Sequence, residues 1–133
     1  MIEIIMSIKH KWSSHIYNGE KDIEYRKSSP KVEAYGKPIK VYLYESGTGT
    51  VTGEMLVTSI KVYGESDCYE EKGNGCVDFE LLNEYWNQGN GTLHCWRIGK
   101  ATKYAEPIPL NVFGVNRPPM SWQYLKQKQP TLF

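Results

Sequence analysis

Thr50-Val51-Thr52-Gly53-Glu54-Met55-Leu56-Val57-Thr58-Ser59-Ile60-Lys61-Val62-Tyr63 is the stretch on which the fold turns. It is rich in β-branched and aromatic residues and holds no proline, so it reads as one long strand. Gly53 inside it marks a bulge, or a close approach by backbone or ligand. Thr52, Glu54, Leu56, Thr58, Ile60 and Val62 share one face, largely apolar but carrying Glu54. A carboxylate on an otherwise buried face must pair or hold its proton. Gly47-Thr48-Gly49 joins this strand to a shorter one at residues 41–44.

Towards the N-terminus, Ile2–Ile8 is apolar and reads as a strand. His10–Tyr17 carries Trp12, His15 and Ile16 at helical spacing, and Asn18-Gly19 stops that helix. Residues 23–27 alternate, with Ile23 and Tyr25 facing one way and Asp22, Glu24 and Arg26 the other. Residues 28–40 form a loop punctuated by Pro30, Gly36 and Pro38. Towards the C-terminus, residues 64–75 are a polar, acidic surface loop. Asp78 caps a second helix with Phe79, Leu82, Tyr85 and Trp86 on one stripe, ended by Gly89 and Gly91. Residues 92–104 form another long strand. Pro107 and Pro109 break the pattern before residues 110–113. The segment from Arg117 to Tyr124 is stiffened by Pro118 and Pro119, and the polar tail beyond it is expected to fray. Long bent strands with only two short helices predict an α+β fold built on a small β-barrel.

The chain has 133 residues, 40% hydrophobic and 23% charged, which predicts a single globular domain over 1–133. Its net charge of +1 excludes the bulk basic field that drives tight non-specific DNA binding. The charge is uneven, however. Residues 9–40 hold eight Lys/Arg against four Asp/Glu, residues 54–86 two against eight, and residues 95–133 six against one. Two basic segments flank an acidic middle. They form either one basic face, if the chain ends meet, or ordinary solvated surfaces. Three cysteines without paired spacing argue against a disulfide framework. The run Ile4-Ile5-Met6 is too short for a signal peptide, and nothing downstream could span a membrane, so a cytoplasmic location is expected. His94-Cys95 with Cys68 and Cys76 matches no closed zinc site, and no metal or cofactor is expected.

Three groups of residues together resemble the ASCH family, a branch of the PUA-like superfamily of small β-barrels. The first is Met6-Ser7-Ile8-Lys9, followed after a helix by Gly19-Glu20-Lys21-Asp22-Ile23-Glu24-Tyr25-Arg26, which resembles the family's Gly-x-Lys-x-x-Glu-x-Arg signature. The second is Val51-Thr52-Gly53-Glu54, similar to the family's central strand. The third is Lys103-Tyr104 with Pro107-Ile108-Pro109-Leu110, then Arg117-Pro118-Pro119 and Ser121-Trp122-Gln123-Tyr124, similar to its closing segment. The resemblance implies a PUA-like barrel with a cleft lined by Lys21, Glu24 and Arg26, and a partner that is RNA or a nucleotide-like small molecule. It also implies a hydrolase alternative, because some small ASCH proteins resemble amidohydrolases of N4-acetylcytidine and others have been assigned ribonuclease activity. In the deacylating group a Lys, a Thr three residues later and a distant Glu are the proposed catalytic set. Lys21 matches the Lys, and Glu24 stands where the Thr would be.

Chemically, Arg26 offers a planar fork for phosphate or a base edge, and Lys9 and Lys21 offer point charges. Glu24 suits either an exocyclic amine or a bidentate pair with Arg26. Lys21, Glu24 and Glu54 are the catalytic candidates. Glu54 is either a polar core residue or a cavity carboxylate suited to proton transfer. Ser121, Trp122 and Tyr124 are expected at the cleft rim, Trp122 as a packing anchor and Tyr124 as either anchor or stacking platform. A surface salt-bridge cluster is the plainer account of Lys21, Glu24 and Arg26 taken alone, and the resemblance tips the reading to a site.

Overall fold

The computed structural model of the protein describes residues 1–30, 37–64, 66–70, 73–88 and 91–125. In chain order the elements are β1 (Ile2–Ile8), α1 (His10–Tyr17), β2 (Ile23–Arg26), β3 (Ile39–Glu45), β4 (Thr50–Tyr63), α2 (Phe79–Asn87), β5 (Leu93–Pro109), a 3-10 turn at Leu110–Phe113 and β6 (Trp122–Tyr124). The strands form a mixed six-stranded sheet in the order β2-β5-β4-β3-β1-β6. β1 and β3 run parallel, and the other pairs are antiparallel. The sheet curls into a half-barrel, so the α+β expectation holds.

The curl has a local cause. The β4–β5 ladder changes register between Val51 and Gly53, between Leu56 and Val57, and between Val57 and Ser59. Each irregularity adds twist and bends the strand. Gly53 also admits a close approach: a Cβ there would run into the Thr102 carbonyl and the Tyr17 ring. Inside the curl lies a cluster of Ile4, Met6, Ile8, Val41, Leu43, Met55, Val57 and Trp96. Ile5, Tyr44, Val51, Leu110 and Val115 form a second cluster. A third, of Ile23, Tyr63, Leu82, Leu93 and Cys95, lies under α2.

The structure departs from the sequence reading at several points. In β4 it is Met55 and Val57 that enter the core, while Leu56 is half-buried and Thr58 and Val62 are exposed. Both faces of this strand carry apolar residues, so alternation alone could not select the inner one. β5 continues through Pro107 and Pro109. It can do so because β2 pairs only with residues 94–97, leaving the far half of β5 an edge, where a missing N–H costs little. Asp78 caps α2 as expected, its Oδ1 accepting from the Leu81 N–H at 2.9 Å. Leu82, Tyr85 and Trp86 pack inward, but Phe79 stays 72% exposed. The loop at residues 28–40 and the acidic loop at residues 64–75 lie partly outside the described residues, and Gly89 and the tail from residue 126 wholly so. Among the described residues no helix is long and apolar enough to cross a membrane.

Candidate functional site

The half-barrel is left open between β2 and the β1–β6 edge, and the signature residues fill that seam. After α1, Gly19 takes a positive φ of 77°, and the Glu20 and Lys21 amides turn back to the His15 carbonyl at 3.0 and 3.1 Å. This return places Lys21 beneath α1. Asp22 then pins the chain to the sheet, its carbonyl accepting from the Ile98 N–H at 2.8 Å. The two-residue period of β2 does the rest. Glu24 lies opposite Trp96 and Arg26 opposite His94, both turned towards the seam.

There the three side chains form one chain of charge. The Lys21 side chain is only 1% exposed, and its Nζ donates to the Gly75 carbonyl. Nζ lies 3.3 Å from Glu24 Oε1 and sits over the rings of Trp12 and Tyr25, 5.3 and 5.2 Å from their centroids. Glu24 Oε2 accepts from Arg26 Nε at 2.9 Å and from Nη2 at 2.8 Å. Arg26 Nη2 reaches across the seam to the Ser7 carbonyl at 2.9 Å, and Nη1 to Ser121 Oγ at 3.3 Å. This is no solvated surface cluster, because Lys21 and Glu24 are both buried. Two cations around one carboxylate leave the group with a net positive charge.

Two cavities meet at this group. One, of about 310 Å³, is lined by Lys21, Glu24, Trp12, Tyr25 and the α2 residues Leu81 and Tyr85, among others. The other, of about 320 Å³, continues past Glu24 and Tyr25 to Arg26, Ser7, Lys9, Ser46 and Met120. Trp12, Glu24, Tyr25 and Tyr85 line both. Burial pushes the Tyr85 hydroxyl pKa up, partly offset by Arg26.

Not every candidate joins this cleft. Lys9 stands exposed on its rim, and Ser121 touches Arg26. Trp122 is a packing residue: its ring meets Trp96 edge-on at 5.8 Å, and its Nε1 donates to Ser28 Oγ at 3.0 Å. Tyr124 packs edge-on against Trp122 and lines neither cavity. Glu54, a catalytic candidate alongside Lys21 and Glu24, is placed elsewhere. It lies opposite Tyr42 in the β3–β4 ladder, 3.1 Å from Lys40, and accepts from the Tyr104 hydroxyl at 3.0 Å. It lines a separate cavity of about 260 Å³ with Lys40 and Lys100. The cause is the reversed parity of β4, which turns Glu54 away from the core that Met55 enters. Burial, then the Glu54 carboxylate, push the Tyr104 hydroxyl well above the usual phenol range.

Sequence reasoning missed the walls. Trp12 was legible only as one face of a short helix and Tyr85 only as a packing stripe, while Tyr25 alternates away from the signature charges. Gly75 sits in a loop without pattern, yet its carbonyl holds Lys21, and a Cβ there would overlap the Tyr25 ring. Of the cysteine thiols, Cys95 is buried, Cys76 half-buried and Cys68 exposed. Among the described residues no group of three or more His, Cys, Asp or Glu could hold a metal ion.

Known proteins share this architecture. No curated protein matches the chain. A serine-to-alanine mutant of ZmASCH from Zymomonas mobilis superposes with a TM-score of 0.74 at 15% identity, covering 94% of this chain and 89% of that one. ZmASCH without that substitution gives 0.73 at 18% identity, covering 94% and 88%. At such identities the likeness speaks for the fold. The sequence itself matches the ASCH domain family over residues 6–119, which takes in the signature, the Gly53 strand and the start of the closing segment, and the chain belongs to that family.

Proposed function

We propose that this protein binds a single nucleotide unit, free or within single-stranded RNA, in the cleft between α1, β2 and α2. The observation that carries the reading is the meeting of two cavities at Glu24, walled by Trp12, Tyr25 and Tyr85 and floored by a buried cationic group. Aromatic rings offer a base a stacking surface of any sequence. The net positive charge, with Lys9 and Ser46 at the outer end, suits a phosphate. The combined volume fits one nucleotide better than a continuous strand, so flanking RNA would lie outside on the rim. A function among cytoplasmic nucleotides or RNA also accords with an odd count of three cysteine thiols.

Hydrolysis at the same cleft has less support. A lysine acting as base or nucleophile must present its nitrogen to the substrate, and Lys21 Nζ is instead turned to Glu24 Oε1 and the Gly75 carbonyl. Glu54, the other catalytic candidate, stands in a different cavity.

The test is calorimetric titration with the four nucleoside monophosphates and with short single-stranded RNA, alongside incubation with N4-acetylcytidine and RNA to follow product. Binding without turnover, weakened by added salt, supports the reading. Turnover that disappears in Lys21→Ala would replace it with the hydrolase.

A further inference from the structure

The outer of the two cavities is built around the end of β1. The Ser7 carbonyl accepts from Arg26 Nη2 at 2.9 Å, and the carbonyl of the next residue, Ile8, accepts from the Ser46 amide at 2.8 Å. Successive carbonyls of a strand point to opposite edges. Arg26 and Ser46 therefore flank this strand end on either side, and Lys9 follows it directly. All three line the same cavity of about 320 Å³. Each has a donor to spare among the described residues. The Lys9 ammonium and the Ser46 hydroxyl have no partner there. Arg26 spends its Nε and Nη2 hydrogens on Glu24 and Ser7 and one Nη1 hydrogen on Ser121, which leaves one Nη1 N–H.

Carboxylates do not take up these donors. Among the described residues Glu24 is the one acidic residue lining the outer cavity, and Arg26 and Lys21 hold it. Glu45, beside Ser46 in the chain, is turned to the Ser13 hydroxyl and the His10 ring, both at 2.7 Å. Lys9, Lys21 and Arg26 against Glu24 leave two positive charges at this end. The inner cavity has the opposite character: Val77, Leu81 and Leu82 line it together with Glu84.

We infer that the outer cavity takes a terminal phosphate, a phosphomonoester, while the base of the same ligand enters the inner one. A monoester presents three free oxygens and a charge near −2 at neutral pH, which answers three spare donors and two positive charges. A phosphodiester inside a strand presents two free oxygens and a single charge, so one donor and one charge go unanswered. Glu84 and the apolar wall turn a phosphate away from the inner cavity and suit a base. The ligand is a free nucleoside monophosphate or the phosphorylated end of a strand, not an internal nucleotide.

This inference narrows the nucleotide reading, on which it rests, and the experiment separates the two. Wild-type protein is titrated with the four nucleosides, their 5′- and 3′-monophosphates, the methyl esters of those monophosphates, and tetranucleotides with and without a terminal phosphate. The best monophosphate should bind at least about tenfold more tightly than its methyl ester and its nucleoside, the loss expected for one charged hydrogen bond. A phosphorylated tetranucleotide that binds more tightly than the monophosphate identifies the strand end as the source, and the reverse order the free nucleotide. Equal binding of the monophosphate and its methyl ester overturns the assignment and leaves the nucleotide site standing. So does a tetranucleotide without a terminal phosphate that binds as tightly as the best monophosphate. Binding of none of these ligands overturns both. As a second readout at exposed positions, Ser46→Ala and Lys9→Ala should each lower the ratio of monophosphate to methyl-ester affinity at least about threefold. A ratio unchanged in both variants places the phosphate elsewhere and overturns the assignment.

Discussion

The guanidinium of Arg26 donates to the main-chain carbonyl of Ser7 at 2.9 Å, joining β2 to β1 although the two strands share no ladder. A side chain thus closes, at one point, a barrel that backbone hydrogen bonds leave open. Trp96 and Trp122 reinforce the closure, their indole nitrogens donating to the carbonyl and the hydroxyl of Ser28 at 3.3 and 3.0 Å. The same arginine holds the Glu24 carboxylate. Closure of the fold and arrangement of the cleft are therefore one interaction.

Arg26→Ala should accordingly be costly. It removes the bonds to Ser7 and Ser121 and leaves Glu24, among the described residues, with Lys21 as its remaining charge partner. Breaking a buried pair from one side costs about 3–5 kcal/mol, and urea denaturation should register a loss of that order. A loss below about 1 kcal/mol would show that the seam is closed by the tryptophans.

Gly53→Ala should destabilise without touching the cleft. The added methyl meets the Thr102 backbone carbonyl, which cannot swing aside as a side chain can. Overpacking of this kind costs about 1–3 kcal/mol. The checks are a lowered thermal midpoint and unchanged ligand affinity in the surviving folded protein.

Lys9 stands exposed on the cleft rim. Lys9→Ala should leave stability within about 0.5 kcal/mol of wild type. It should weaken nucleotide or RNA binding and lower the slope of log affinity against log salt by about one phosphate contact. An unchanged slope would place the phosphate elsewhere.

Two groups predict how stability follows pH. Burial lowers the His94 pKa, its ring held between the Ser29 and Thr92 hydroxyls at 2.6 and 3.2 Å. A histidine kept neutral by the fold contributes stability above its ordinary value of about 6.5 that is lost as pH falls through the folded value. Burial, against the opposing effect of its hydrogen bond to Thr52, pushes Tyr17 up to about 12. Its contribution is full below about 10 and is lost as pH rises through the folded value. Melting temperature should therefore fall on both sides of a neutral plateau. His94→Gln should flatten the acid limb and Tyr17→Phe the alkaline limb.

How much of this was legible in the sequence depends on how local each feature is. α1 and β4 could be read to their ends, because helical spacing closes at Gly19 and an unbroken β-branched run has clear limits. The grouping of Lys21, Glu24 and Arg26 was legible from strand alternation and the family signature. Glu54 was not placed correctly, because the inner face of β4 is chosen by what packs across it, Val41 and Leu43 on β3 and Trp96 on β5. Gly75 and Tyr85 were out of reach for the same reason. Their roles exist only once a distant loop and α2 are laid against β2, and no spacing in the chain encodes that.

The contacts that complete the cleft join residues far apart along the chain. Lys21 meets Gly75 across 54 positions, Arg26 meets Ser121 across 95, and the Ser7 hydroxyl meets the Pro119 carbonyl across 112. Closing loops of that length costs entropy before any contact repays it, so such contacts form late in folding. A ribosome working from the N-terminal side therefore delivers the signature residues well before Gly75, Pro119 and Ser121. Until those partners arrive, the nascent chain carries Lys21, Glu24 and Arg26 without a cleft to put them in.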